Sequence, residues 1–209
     1  MKKLSLLFTK DGLQWHISKG KTVLEEAFHF VTEETSPHLV EEKLDDVLKF
    51  DDYKEIEVIS ALNHFSLTPD TFAEHELGYK LISYNAPVDE ANEELMLSVN
   101  KKFAVQFYYT FPKHFYQKIK AKKLPTKFNF SGEKFLNALT VKNHKEIHIN
   151  LYHHQVEFFA FENKKVVLYN NLDADSEVDF LYFIMFSLSK INFGTAETHF
   201  HIYGETHEN

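Results

Sequence analysis

Residues 146–205 read strand, strand, strand, helix, strand, and that order leaves a chain few ways to fold. Residues 146–152 alternate apolar and polar side chains, the period of two that marks a strand with one buried face. His153 and His154 make a tight connection to a second strand, 155–161, which is rich in aromatics. A polar turn at 162–165 leads to a third strand, 166–169, and the pattern breaks at 170–173. Ser176, with Asp179 three residues on, has the spacing of a helix cap. The helix, 178–191, is apolar nearly all round, which predicts burial on more than one side. Gly194 is expected to stop it in a left-handed conformation, and 198–203 alternate again before Gly204 and Glu205. A helical crossover of this kind lets the fourth strand lie parallel to the first.

The first part of the chain repeats the order. Residues 4–8 and 13–17 form a hairpin around Asp11-Gly12, and 22–30 a third strand. Pro37 opens a helix with Leu39, Val40, Leu44, Val47 and Leu48 on one side, and 55–62 is a strand. Residues 63–69 are extended, and Pro69 is read as the first residue of a helix over 70–76. Residues 83–92 form a polar connection. Strands follow at 95–99 and 103–109, then helices from Pro112 to about Lys122 and over 131–139. Such recurrence predicts a two-lobed α/β protein with mixed sheets, of the ribonuclease-H-like or actin-like ATPase class. The lobes are expected at 1–125 and 126–209.

Composition limits the function. The chain has 209 residues, enough for one large core or two small ones. It has no Cys, so neither a disulfide framework nor thiolate chemistry. No apolar run is long enough to span a membrane, and Thr9-Lys10-Asp11 interrupts the start too early for a signal peptide; a cytoplasmic protein is expected. A formal net charge of −8 argues against nucleic-acid binding. The lysines between Lys113 and Lys127 read as a solvated helix face followed by a loop.

Residues 4–17 around Asp11-Gly12, residues 64–69, the strand from Phe103 to Pro112 leading into a helix, and the closing Phe200-His201-Ile202-Tyr203-Gly204-Glu205 carry a resemblance over nearly the whole chain. In their order and spacing they resemble domain-of-unknown-function family 3822 of Bacteroidetes-type bacteria. The resemblance implies the actin-like ATPase fold, with similarity to pilus-assembly and cell-division ATPases, and no established activity. Members usually continue past the Gly-Glu, whereas this chain stops at Asn209, so by the resemblance either the protein is short or an end of the second lobe is missing.

An actin-type ATPase needs a phosphate loop between the first two strands of each lobe, where Gly admits the phosphate and Asp holds the metal or its waters. Asp11 and Gly12 stand at a hairpin apex instead. His153 and His154 occupy the second turn, with neither Gly nor acid, and of the adenosine-side glycines only Gly204 remains. These five positions are read as degenerate phosphate-loop positions, with no catalytic group and no cofactor. His199 and His201 share a strand face, and His148 lies on what the fold makes a neighbouring strand. They are the candidates for a zinc-like ion, set against the plainer reading of polar side chains on a sheet's outer face, for which no metal is expected. The acidic run Asp173, Asp175, Glu177 and Asp179 suits a helix N-terminus. Two functions fit: a non-catalytic scaffold that binds another protein, or a degenerate nucleotide or small-molecule binder using the cleft between lobes. Partner, pathway and oligomeric state are not encoded in any motif.

Overall fold

The computed structural model describes residues 1–32, 34–36, 38–152, 154–174 and 176–204. Two compact units divide the chain, one of Met1–Val99 and Ala104–Glu133, the other of Asn100–Phe103 and Lys134–Asn209.

The first unit is built on a five-stranded mixed sheet. Its strands are β1 (Lys2–Thr9), β2 (Gly12–Lys19), β3 (Thr22–Phe30), β4 (Tyr53–Ser60) and β8 (Thr126–Phe130), in the order β3-β2-β1-β4-β8. The hairpins are antiparallel, and β4 runs parallel to β1 on one edge and to β8 on the other. Between β3 and β4 lies α1 (Leu39–Leu48), which buries Leu44, Val47 and Leu48 on Leu4, Leu6, Phe8, Ile56 and Val58. A second sheet, β5-β7-β6, comprises β5 (Phe65–Pro69), β6 (Glu93–Asn100) and β7 (Val105–Pro112), with α2 (Gly78–Ser83) beside it. From β7 the chain passes into α3 (Lys113–Lys120), whose Ile119 is fully buried in the α1 core. Lys118 Nζ reaches Glu41 and Asp45 of α1 at 2.9 and 2.8 Å, and Lys122 reaches Asp51 at 2.7 Å.

After α4 (Ser131–Ala138), the second unit holds a four-stranded sheet of order β11-β10-β9-β12. Its strands are β9 (Lys145–Tyr152), β10 (Gln155–Glu162), β11 (Lys165–Asp173) and β12 (His199–Gly204). β12 is parallel to β9, and α5 (Glu177–Lys190) makes the crossover. The faces differ. Ile147, Ile149, Val156, Phe158 and Ala160 pack under Ile184 and Leu188 of α5. The other face carries Glu146, His148, Asn150, Glu157, Phe159 and Phe161. Among the described residues no helix is long and apolar enough to cross a membrane.

Several local expectations are corrected. No helix forms over 70–76: the Phe72 amide closes a turn on the Pro69 carbonyl, Gln106 donates to the Phe72 carbonyl, and helical structure begins with a short 3-10 turn, His75–Leu77, before α2. Tertiary hydrogen bonds here outweigh local propensity. The stretch after α3, read as a loop, contains β8; its Phe128 and Phe130 alternate with polar residues, a pattern hidden by the neighbouring lysines. β11 runs through Asn170 and Asn171 to Asp173, because both asparagines pair with β10. Gly194 is extended, with φ −75°, and the left-handed residue is Asn192, φ 61°. Ser176 does cap α5, accepting from the Asp179 amide at 3.1 Å. That helix, however, is buried on one side only. Val178, Leu181, Tyr182, Met185 and Phe186 are all at least 49% exposed. Pro37, at the expected start of α1, and Asp175 lie outside the described residues.

Candidate functional site

The cluster with most chemistry sits where β9 meets β12. Alternation puts Glu146 and His148 on one face of β9, and the parallel register sets His201 beside His148. Ligand atoms of Glu146, His148 and His201 all lie within 4.8 Å of one another.

Each contact has a clear donor. The Glu146 carboxylate is only an acceptor, so His148 Nε2–H donates to its Oε2 at 2.8 Å. His148 Nδ1 is then an acceptor for the Tyr203 hydroxyl, 2.9 Å away. The amides of Lys142, at 2.7 Å, and Asn143 donate to Glu146 Oε1. Glu146 and His148 are each 1% exposed. The His201 ring stacks on His148, centroids 4.5 Å apart and planes 16° apart. Its Nε2 lies 3.6 Å from Glu146 Oε2, too far for a hydrogen bond, and among the described residues that buried nitrogen has no other partner. Phe161 stands edge-on to His148, and Phe135 edge-on to Tyr203.

Electrostatics follow from this packing. Burial pushes the Glu146 carboxyl up, but the Asn143 amide, His148 and the Lys142 amide outweigh it and hold the group down at about 2. Burial also lowers His148, against the pull of Glu146. The site therefore keeps a buried carboxylate beside a neutral imidazole. A second buried carboxylate, Glu157, accepts from the Tyr169 hydroxyl at 2.7 Å and the Asn150 amide at 3.3 Å.

Of the histidines singled out from spacing, His148 and His201 come together, whereas His199 is exposed and outside the cluster. Glu146 was missed, although a carboxylate two residues before His148 on an alternating strand must share its face. The described degenerate phosphate-loop positions lie in turns and at strand ends. Asp11 lies in a two-residue turn, its carbonyl accepting from the Val31 amide. Gly12 has φ 145°, and a Cβ there would stand 1.9 Å from the His29 carbonyl oxygen, so glycine serves the close approach of β3. Gly204, φ 100°, is likewise pressed on the Leu151 carbonyl. His154 is an exposed turn residue, and His153 lies outside the described residues. In the first unit, a concavity of about 600 Å³ between β2, β3 and α1 is lined by Trp15, Ala27, His29, Val47 and Phe50.

Comparison with known proteins places the fold. The profile of a family described as "Protein of unknown function (DUF3822)" matches residues 1–209. No curated protein matches the chain. A Bacteroides thetaiotaomicron protein with actin-like ATPase fold and unknown function superposes with a TM-score of 0.81 at 20% identity, covering 99% of this chain and 83% of that one. The cytoplasmic domain of EpsL, an inner-membrane component of the Vibrio cholerae type II secretion system, gives 0.56 at 9% identity, covering 100% and 84%. A chain of the PilM–PilN type IV pilus biogenesis complex gives 0.50 at 12%, covering 90% and 66%. At these identities the likeness is one of fold, and the fold is the actin-like ATPase one.

Proposed function

We propose that this chain, which belongs to the DUF3822 family of proteins of unknown function, is a protein-interaction module on an actin-like frame and not an ATPase. One observation carries the reading. In the second unit α5 turns Val178, Leu181, Tyr182, Met185 and Phe186 to solvent, and Phe200 and Ile202 of the neighbouring edge strand are 41% and 57% exposed. Exposed apolar side chains grouped on one helix in this way mark protein-binding surfaces, and an edge strand offers backbone groups to a partner.

The turns support the same reading. Gly12 and Gly204 are consumed by backbone-to-backbone contacts, which leaves their N–H groups little freedom to wrap a phosphate. Two of the fold neighbours are components of secretion and pilus assemblies.

A photo-crosslinking residue placed at Met185 should trap a protein in the native host, and the same residue at Lys49, just past the end of α1, should not. Thermal unfolding should be unmoved by ATP or ADP with magnesium. A shift of several degrees with ATP and magnesium, together with phosphate release, would overturn the reading in favour of a nucleotide binder.

A further inference from the structure

We propose that Glu146, His148 and His201 form a binding site for one divalent transition-metal ion of the zinc class. The inference is independent of the protein-interaction reading.

Charge comes first. Glu146 is 1% exposed, yet among the described residues only the two imidazoles come within ion-pair distance of it, at 2.8 and 3.6 Å. His148 is satisfied as a neutral ring by one tautomer, donating to Glu146 and accepting from Tyr203. Three N–H donors hold this carboxylate as an anion sealed from water, and a cation beside it would add the countercharge that a neutral imidazole does not supply. The proton on His148 Nε2 holds the place that an ion would take.

Geometry comes second. One ligand atom from each of Glu146, His148 and His201 lies within 4.8 Å of the other two. Bonds of about 2.0–2.2 Å to a four-coordinate ion put ligand atoms roughly 3.4 Å apart. The two separations from Oε2, 2.8 and 3.6 Å, bracket that value. Glu146 Oε1 is pinned by the Lys142 and Asn143 amides, which leaves Oε2 to face the ion. Tyr203 holds His148 through its other nitrogen, the outer support that metal-binding imidazoles ordinarily have. With metal bound, His148 Nδ1 carries the ring proton and donates it to the Tyr203 oxygen, while Nε2 offers its lone pair.

His201 supplies the moving part. Stacked imidazoles cannot both aim in-plane lone pairs at one ion, so its ring must turn out of the stack. Its side chain is 41% exposed, which leaves room to turn, and among the described residues its Nε2 has no hydrogen bond to give up. Three protein ligands leave a fourth position for water. Two nitrogens and one carboxylate favour zinc-like ions over magnesium or calcium, which prefer all-oxygen shells.

Calorimetric titration of the metal-free full chain with Zn²⁺ should give one ion per chain, and Mg²⁺ should give no heat. Co²⁺ in place of zinc should show the visible absorption of a four-coordinate site. His201→Ala removes a half-exposed ligand, so it should fold normally and weaken binding at least tenfold, while His199→Ala should not change it. Tyr203→Phe, a change of support and not of ligand, should cost about tenfold in affinity. No stoichiometric Zn²⁺ binding, or binding that survives His201→Ala, would overturn the proposal, leaving a hydrogen-bonded network or ions held by other histidines.

Discussion

The two main sheets begin alike and end differently. In each, three antiparallel strands lead through a helix to a fourth strand parallel to the first. In the first unit β4 is then covered: β8 pairs with its free edge, and α3 lies against α1, tied by Lys118 and anchored by Ile119. Ile56 and Val58 of β4 are each 1% exposed. Among the described residues of the second unit, β12 is the edge strand of its sheet and α5 leaves Val178, Leu181, Tyr182, Met185 and Phe186 exposed. Phe200 and Ile202, at the places matching Ile56 and Val58, stand open. The same supersecondary unit thus lies in a closed core in the first unit and, among the described residues, presents an open face in the second.

The largest test of this contrast compares core truncations. Leu6→Ala in the covered sheet should cost about 2–5 kcal/mol in urea unfolding, whereas Ile202→Ala should cost under about 1 kcal/mol given its exposure. Equal costs would mean that β12 is covered after all. Next come the helices. Val47→Asp on α1 places an unpaired charge in a packed core and should prevent folding or cost several kcal/mol. Leu181→Asp on α5 should leave the melting temperature within a few degrees while blocking the crosslink at position 185. Glu146→Ala should destabilise the metal-free protein by about 1–3 kcal/mol, since His148 and two amides lose their acceptor. Its pH dependence has a definite sign. The Glu146 pKa is depressed from 4.5 to about 2, so its stabilisation is full above pH 4.5 and is lost as pH falls toward 2, an acid limb that Glu146→Gln should flatten. Hydrogen exchange should find β12 amides on the open edge exchanging faster than any in β4. Smallest is Lys118→Ala, expected to cost under about 1 kcal/mol and to lose its effect in high salt.

Much of this was legible in the sequence. Period-two runs located the hairpins and the parallel return strands, and Ser176 with Asp179 fixed the start of α5. What failed were places where distant groups decide, such as the 70–76 turn held by Gln106 and the extension of β11 through two asparagines. The site was half legible: alternation alone puts Glu146 with His148 on one face of β9, but that His201 and not His199 stands beside His148 depends on the register of β12 against β9.

By itself, then, the sequence determined the order and kind of the elements, because hydrophobic periodicity and helix caps are local properties of the chain. Only the tertiary structure decided which apolar faces find cover. The all-round apolar pattern of α5 says that both sides gain from burial, but whether an element lies against the outer side is a matter of neighbours, which periodicity does not encode. The same holds for Glu146, whose charge is ordinary in the sequence and consequential only once the sheet seals it from water.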